Sequence, residues 1–173
     1  MKTILAISGS LRAASTNGAV LRAIARLAPA DVRVMIYDGL ATLPHFSPEL
    51  DTDTLPAPVA YLRTSVQAAD AVIICTPEYA HGMPGSLKNA LDWLVSSGEF
   101  SGKRVAVLSA SPNYAGGERA NASLRQTMLA LNATIIEEAS LLIPLVKTKL
   151  DASGAVIDPE TERALRQVAV GLV

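Results

Sequence analysis

Ala71-Val72-Ile73-Ile74-Cys75-Thr76 is an unbroken run of apolar and β-branched residues near the middle of the 173-residue chain. Such a run without polar alternation predicts a strand whose two faces are both buried, as in the centre of a parallel sheet. A segment of helical period precedes it at about 59–69, and Pro84 stands where another helix would begin. A buried strand between two helices indicates an α/β fold with helices on both faces of the sheet.

The same alternation of strand and helix extends over the rest of the chain. Strands are predicted at Thr3 to Ser8, at Val32, Val34 and Ile36, at Lys103 to Ser109 and at Ala133 to Glu137. Helices are predicted at about 17–27 and from Pro84 to Gly98, and the apolar face of the second includes Val95. Two further helices are predicted, one around Leu124, Met128 and Leu131 and one that begins at Pro159 after the N-cap Asp158. Five strands joined by right-handed crossovers predict a doubly wound parallel sheet. A Rossmann half and a flavodoxin-like sheet both fit, and five strands in so short a chain favour the order 2-1-3-4-5.

Composition limits the classes of protein that this chain can belong to. Residues 1–173 have the length of one domain, half of them are hydrophobic and 18% are charged, which excludes intrinsic disorder. Fifteen basic and 16 acidic residues leave no basic stripe for nucleic acid. Cys75 is alone, so it forms no internal disulfide, and no apolar run approaches the roughly 18 residues of a membrane span. We therefore expect a cytoplasmic protein.

Three loops are expected to meet at one edge of the predicted sheet. They are 8–17 after the first strand, 76–83 after the third and 109–117 after the fourth. In a doubly wound sheet, ligands bind at the carboxyl ends of the strands where the strand order reverses, here between the first and third strands. The sequence therefore predicts a ligand site built from these loops.

The first loop has the residues expected of a phosphate site. Ser10, Arg12, Ser15, Thr16 and Asn17 precede or open a helix, whose free N–H groups and dipole favour an anion. The alternative is that Ser15 or Thr16 is only a helix cap and that Arg12 is only a solvated residue. No Gly-x-x-x-x-Gly-Lys-Ser/Thr or Gly-x-Gly-x-x-Gly motif is present, which leaves a monophosphate such as that of FMN.

The other two loops could surround a planar ring. Pro77, Glu78 and Tyr79 are followed by His81, and the prolines and glycines of this loop could form a rigid backbone rim. A tight strand-to-helix turn with Tyr79 as a packing residue is the equal alternative. The third loop, from Ser109 through Ser111 to Gly117, offers backbone amides and small side chains. Four prolines between Gly39 and Pro58 predict an irregular segment, of a kind that often serves as a lid.

Together these segments resemble the NADPH-dependent FMN reductase family, which includes quinone, azo-dye and chromate reductases of flavodoxin-like fold. The matching residues are Gly9-Ser10-Leu11-Arg12 with Ser15 and Asn17, Pro77-Glu78-Tyr79 with Pro84-Gly85, Leu87-Lys88-Asn89-Ala90 with Asp92-Trp93, and Gly116-Gly117. The resemblance implies one non-covalent FMN per chain and NADPH or NADH as electron donor. It places the flavin phosphate on Ser10, Arg12, Ser15, Thr16 and Asn17. It places the ring near Pro77, Glu78, Tyr79, Ala80, His81, Ser109, Ser111, Gly116 and Gly117. Many members have Asn at position 80, so the Ala80 of this chain removes one side-chain contact to the ring.

The function implied is a ping-pong NAD(P)H oxidoreductase that reduces quinones, free flavin, azo compounds or similar small acceptors. FMN would carry the chemistry, no catalytic acid or base would be required, and N–H groups of the Glu78 and Tyr79 loop would stabilise the reduced ring. Family members are dimers or tetramers, so a homo-oligomer is expected. A flavodoxin-type electron carrier and a flavin-free assembly domain are the alternatives, and neither is favoured by the near-neutral charge and the polar first loop. No metal site and no cysteine–histidine nucleophile are expected.

Overall fold

The computed structural model describes all residues from Met1 to Val173, and a parallel sheet lies at its centre. The strands are β1 (Lys2–Ser8), β2 (Val32–Tyr37), β3 (Ala71–Thr76), β4 (Arg104–Ala110), β5 (Thr134–Ile135) and β6 (Leu141–Ile143). The helices are α1 (Thr16–Leu27), α2 (Ala57–Ala68), α3 (Gly85–Asp92), α4 (Glu118–Ala130), α5 (Val146–Lys149) and α6 (Pro159–Leu172). The sheet order β2-β1-β3-β4-β5 confirms the predicted order 2-1-3-4-5 and the flavodoxin-like fold class.

The strand that the apolar run predicts is the central one. All six residues of β3 are buried, and β3 pairs with β1 on one side and β4 on the other. Because successive side chains of a strand point to opposite faces, Val72 and Ile74 pack with α2, α3 and α4. Ile73 and Cys75 pack with α1 and α6 on the other face. Two apolar layers therefore hold the ends of β1, β3 and β4 in register.

The edge beyond β4 differs from the prediction. The strand expected at Ala133 to Glu137 ends at Ile135, and a 3₁₀ turn follows at Glu137–Ala139. The chain then returns as β6, which pairs with the carboxyl half of β4. The Ser140 hydroxyl accepts the N–H of Val107 at 3.0 Å, so this side chain satisfies the backbone donor of β4 that has no strand beside it between β5 and β6. Sequence reasoning missed β6, which has only three residues.

Two helix predictions have different outcomes. Asp158 caps α6 by accepting the N–H of Thr161 at 2.9 Å, and Pro159 is the first helical residue, as predicted. The helix predicted from Pro84 to Gly98 was too long, because α3 ends at Asp92. Val95 was assigned to its apolar face and is instead 63% exposed.

The proline-rich segment between β2 and α2 contains two short 3₁₀ turns, Leu40–Thr42 and Pro48–Leu50, and is attached to α3. The Pro44 carbonyl accepts hydrogen bonds from Trp93 Nε1 and Asn89 Nδ2, both at 2.9 Å. The Phe46 ring packs edge-on against Trp93. These contacts fix the segment against the helix layer, and none of its residues lines the cavity formed by the loops after β1, β3 and β4.

Candidate functional site

A cavity of about 270 Å³ lies at the carboxyl ends of β1, β3 and β4, where the loops were expected to meet. Nine predicted site residues line it: Ser10, Arg12, Ser15, Thr16, Asn17, Pro77, Glu78, Tyr79 and Ser111. The remaining lining residues are Ala14, Ala110, Pro112, Asn113 and Lys147. The predicted residues Ala80, His81, Ser109, Gly116 and Gly117 lie outside the lining.

The start of α1 offers a set of free donors to the cavity. Ser15 is the N-cap, and its side chain accepts the N–H of Gly18 at 3.4 Å. The N–H groups of Thr16 and Asn17 have no acceptor in the protein. Arg12 forms no ion pair, so its guanidinium is also available. Ser15 therefore is a helix cap, and the same geometry leaves two N–H groups and one cation for an anion.

Asn17 holds the first loop to the sheet. It is only 2% exposed, and its Nδ2 donates to the carbonyl of Ala110 at 3.3 Å while its Oδ1 accepts from the thiol of Cys75 at 3.1 Å. Both ends of the amide are therefore occupied by β3 and β4. Asn17 offers its backbone N–H to the cavity and uses its side chain to position the loop.

Gly9, directly after β1, lies close to the start of the second loop and to α3. A Cβ on Gly9 would lie 3.0 Å from a methyl carbon of Leu87 and 3.3 Å from Pro77 Cδ. The first loop and the second loop therefore touch here through backbone and proline.

Glu78 joins the second loop to the third. Its Oε2 accepts the N–H groups of Arg119 and Ala120 at 3.0 and 3.2 Å. The N-cap of α4 is Gly117, which has no side chain to cap the helix, so Glu78 performs that role from another loop. The carboxylate is thus directed at α4, and the backbone N–H of Glu78 has no acceptor in the protein.

The second loop turns tightly after Tyr79. Tyr79 and Gly82 exchange two backbone hydrogen bonds of 3.0 Å, which leaves Ala80 and His81 at the tip with φ of 49° and 64°. The N–H of Tyr79 is therefore committed to the turn, so of the two donors expected at the ring only that of Glu78 is free. His81 Nδ1 lies 3.7 Å from Glu78 Oε1, and its side chain is largely exposed.

Ser109 and the two glycines shape the third loop from beneath. The buried Ser109 hydroxyl donates to the carbonyl of Gly116 at 2.7 Å. Gly117 has φ of 80°, and a Cβ there would lie 3.3 Å from Ser109 Cβ. These residues fix the path of the loop, and Ala110, Ser111, Pro112 and Asn113 face the cavity.

The segment after β6 fastens the third loop and brings an additional cation to the cavity. Ser111 N–H donates to the carbonyl of Ile143 at 3.1 Å, and Val146 N–H donates to that of Ser111 at 3.0 Å. Lys147 follows directly on α5 and lines the cavity. Sequence reasoning missed Lys147 because it missed β6, and the apolar pair Leu141 and Leu142 is the only local signal.

These donors fit the phosphate of FMN. Two free N–H groups at a helix start, the Arg12 guanidinium and the hydroxyls of Ser10 and Thr16 border one end of the cavity. The other end is bordered by backbone and small or flat side chains of the second and third loops, as a ring with polar edges requires. The order of the sheet and this site define a flavodoxin-like flavoprotein.

Comparison with known proteins agrees with this class. The NADPH-dependent FMN reductase family matches residues 2–148. A quinone reductase of Escherichia coli is 34% identical over 162 residues, covering 91% of this chain and 86% of that protein. An NAD(P)H-dependent FMN reductase of Pseudomonas aeruginosa is 34% identical over 166 residues, covering 95% and 89%. Among solved structures, the flavoenzyme NAD(P)H:(acceptor) oxidoreductase FerB of Paracoccus denitrificans has a TM-score of 0.85 at 28% identity, covering 99% of this chain and 95% of FerB.

This chain belongs to the NADPH-dependent FMN reductase family, which confirms the resemblance seen in its motifs. It is an FMN-dependent NAD(P)H oxidoreductase. None of its helices combines the length and the apolar character needed to cross a membrane.

Proposed function

We propose that this enzyme reduces quinones and similar small planar acceptors by a ping-pong reaction. FMN, when bound, would supply the redox chemistry of both half-reactions, with the reduced nicotinamide as hydride donor and the quinone as electron acceptor. The observation that supports the proposal is that Arg12 and the free N–H groups of Thr16 and Asn17 line the same open cavity. Quinones are favoured among acceptors because relatives from several bacteria are named quinone reductases.

The residues of the chain would bind and orient the cofactor. Arg12 and the N–H groups of Thr16 and Asn17 would hold the phosphate, with Ser10 and Ser15 beside them. The free N–H of Glu78 would donate to the polar edge of the ring, and Ser111 would contribute to the same edge. Tyr79 is 51% exposed beside the cavity and offers a flat surface to a planar acceptor.

The chemistry is tested by spectroscopy of the FMN-loaded protein. Anaerobic NADPH should bleach the flavin absorption bands, and 1,4-benzoquinone added afterwards should restore them in a separate step. Bleaching only when the quinone is already present would contradict the ping-pong order. Flavin that binds and is not reduced by NADPH or NADH would instead support a flavodoxin-type electron carrier.

The phosphate site is tested by replacing Arg12. Arg12→Ala should raise the dissociation constant of FMN by about tenfold, the value expected for one charge-assisted contact. The affinity for riboflavin, which has no phosphate, should stay the same. Arg33→Ala is a matched control, because Arg33 is exposed on the edge strand β2. An equal loss of affinity for FMN and riboflavin would overturn the assigned role.

We further propose that residues 1–173 form a single FMN-binding domain that works in the cytoplasm as a homodimer or homotetramer. A buried, unpaired Cys75 is compatible with a reducing compartment. The exposed Val95 and Leu129 are large apolar side chains suited to a subunit contact. Sedimentation of the FMN-loaded protein should give a dimer or tetramer, and a monomer at micromolar concentration would contradict the oligomer.

A further inference from the structure

A second cavity adjoins the flavin cavity and is larger, at about 440 Å³. It lies between α1 and the segment that follows Lys147. Its lining residues are Ala14, Ser15, Thr16, Ala19, Arg22, Lys147, Leu150, Asp151, Ala152, Ser153 and Gly154. Residues 14–16 and Lys147 line both cavities, so the two spaces share a wall at the phosphate end of the flavin site.

Arg22 and Lys147 are two cationic side chains in this cleft that form no ion pair. Eight of the 15 basic side chains donate to a carboxylate, hydroxyl, amide or carbonyl oxygen. The seven without such a partner are Arg12, Arg22, Arg26, Arg33, Arg119, Lys147 and Lys149. Three of these seven, Arg12, Arg22 and Lys147, line the two adjoining cavities.

The one carboxylate in the lining does not cancel these charges directly. Asp151 Oδ1 accepts from the N–H and hydroxyl of Ser153 and from the N–H of Ala155, at 2.6 to 2.9 Å. These hydrogen bonds, led by the Ser153 hydroxyl, lower the pKa of Asp151. The carboxylate thus holds its own loop in shape and forms no ion pair with Arg22 or Lys147.

We propose that the Arg22–Lys147 cleft binds the 2′-phosphate of NADPH and gives the enzyme its preference for NADPH over NADH. The two donors differ only in this phosphate, so discrimination requires at least one cation that lies outside the FMN cavity. Arg22 lines the second cavity alone and offers a planar fork for a phosphate, and Lys147 adds a point charge. The proposal rests on the proposed function, because it assumes that NADPH is the donor.

Other basic residues are less suited to this role. Arg125 is engaged with Glu137 in an ion pair and with Asn121 in a hydrogen bond. Arg119 lies at the start of α4 and lines neither cavity. Lys149, two residues from Lys147, lines a different cavity beside α6.

Binding of adenosine 2′,5′-bisphosphate, measured by calorimetry on the FMN-loaded protein, tests the cleft without any redox reaction. The bisphosphate should bind at least tenfold more tightly than adenosine 5′-monophosphate. Arg22→Ala and the double variant Arg22→Ala/Lys147→Ala should remove that difference. Arg26→Ala, one turn further along α1, and Lys149→Ala, on the same short helix, should keep it. Equal binding of the two nucleotides by the parent protein would overturn the proposal and leave the proposed function untouched.

Steady-state kinetics with saturating FMN provides the second test. Arg22→Ala should raise KM for NADPH about tenfold, the value expected for one charge-assisted contact, and leave kcat and KM for NADH unchanged. An equal rise of the KM values for NADPH and NADH would mean that Arg22 does not bind the 2′-phosphate. Unchanged values for both donors would also overturn the assignment. If neither donor reduces the flavin of the parent protein, the proposed function fails, and the binding test still decides whether the cleft recognises a 2′-phosphate.

Discussion

The thiol of Cys75 donates a hydrogen bond to the side-chain oxygen of Asn17 across 3.1 Å, and Asn17 lines the flavin cavity. Burial raises the pKa of this thiol, so the sulfur keeps its proton and stays a donor. The contact ties the most buried strand to the first turn of α1. The cysteine that the sequence places in a buried strand therefore also supports the phosphate loop.

Replacing Cys75 tests this support. Cys75→Ala should leave the Asn17 oxygen buried without a donor, which lowers the free energy of unfolding by about 1–2 kcal/mol. It should also raise the FMN dissociation constant several-fold, because the free N–H groups of Thr16 and Asn17 lose their fixed positions. Cys75→Ser keeps a donor and should restore most of the FMN affinity. Equal FMN binding by the parent, Ala and Ser proteins would show that the contact does not position the loop.

We expect Glu78 to stabilise the site through the carboxylate oxygen that accepts the N–H groups of Arg119 and Ala120. Glu78→Ala leaves the start of α4 uncapped, and we expect a loss of about 1 kcal/mol in the free energy of unfolding. FMN and riboflavin should both bind more weakly by the same factor, because the loss concerns the ring and not the phosphate. Glu78→Gln retains an oxygen that accepts N–H groups and should lie closer to the parent. Denaturant unfolding and fluorescence titration measure the two effects, and a Gln variant as weak as the Ala variant would contradict the capping role.

Ala80 should be a site where asparagine stabilises the protein. Its φ of 49° lies in the left-handed region, which asparagine tolerates better than alanine. We expect Ala80→Asn to raise the free energy of unfolding by about 0.5–1 kcal/mol, which is part of the roughly 1–2 kcal/mol that the left-handed conformation costs a residue with a Cβ. Ala122→Asn, at an exposed position inside α4, is the control and should destabilise instead. Destabilisation by Ala80→Asn would show that the turn is not strained.

Tyr37 should make stability fall at alkaline pH. Its hydroxyl is buried and has no hydrogen-bond partner, and burial, with the charges of Tyr61 and Asp38, raises its pKa from 10.0 to about 12. Between these values the unfolded chain releases the proton and the folded protein keeps it, so stability falls as pH rises from 10 to 12. Tyr37→Phe should remove this loss. It should also be neutral or stabilising by up to about 1 kcal/mol at pH 7, because it removes an unpaired hydroxyl.

Urea unfolding at pH 7 and pH 11 measures the Tyr37 effect. Tyr114→Phe is the matched control, because it makes the same substitution on a side chain that is 87% exposed. The same loss of stability at pH 11 in the parent and in Tyr37→Phe would contradict the prediction.

The sequence is most informative where one physical requirement acts alone. Ala71 to Thr76 must be buried on both faces whatever surrounds it, so the central strand and its position follow from composition. Asp158 followed by Pro159 is a local signal, and the helix begins there. Ser15 illustrates an unresolved choice in the sequence, because the cap and the phosphate site use the same residues. The structure shows the cap together with free N–H groups beside it.

The remaining features depend on contacts between distant segments. The break after Ile135 depends on how Ser140 meets Val107, which no local pattern shows. The direction of the Glu78 carboxylate depends on the position of α4, some 40 residues further along. Ser109, Gly116 and Gly117 are predicted to lie near the ring, and in the structure they lie beneath the third loop. There the Ser109 hydroxyl donates to the Gly116 carbonyl, and the two glycines supply the positive φ values of the turn.

The interrupted outer edge of the sheet also affects the solubility of the folded protein. β5 has two residues and β6 has three, with the acidic Glu137 and Glu138 between them. A long, straight outer strand would offer its free N–H and C=O groups to the strands of other molecules, which is a route to aggregation. Segments this short, separated by a charged turn, form a poor template for such growth. The break that brings Lys147 to the site thereby protects the molecule against edge-to-edge aggregation.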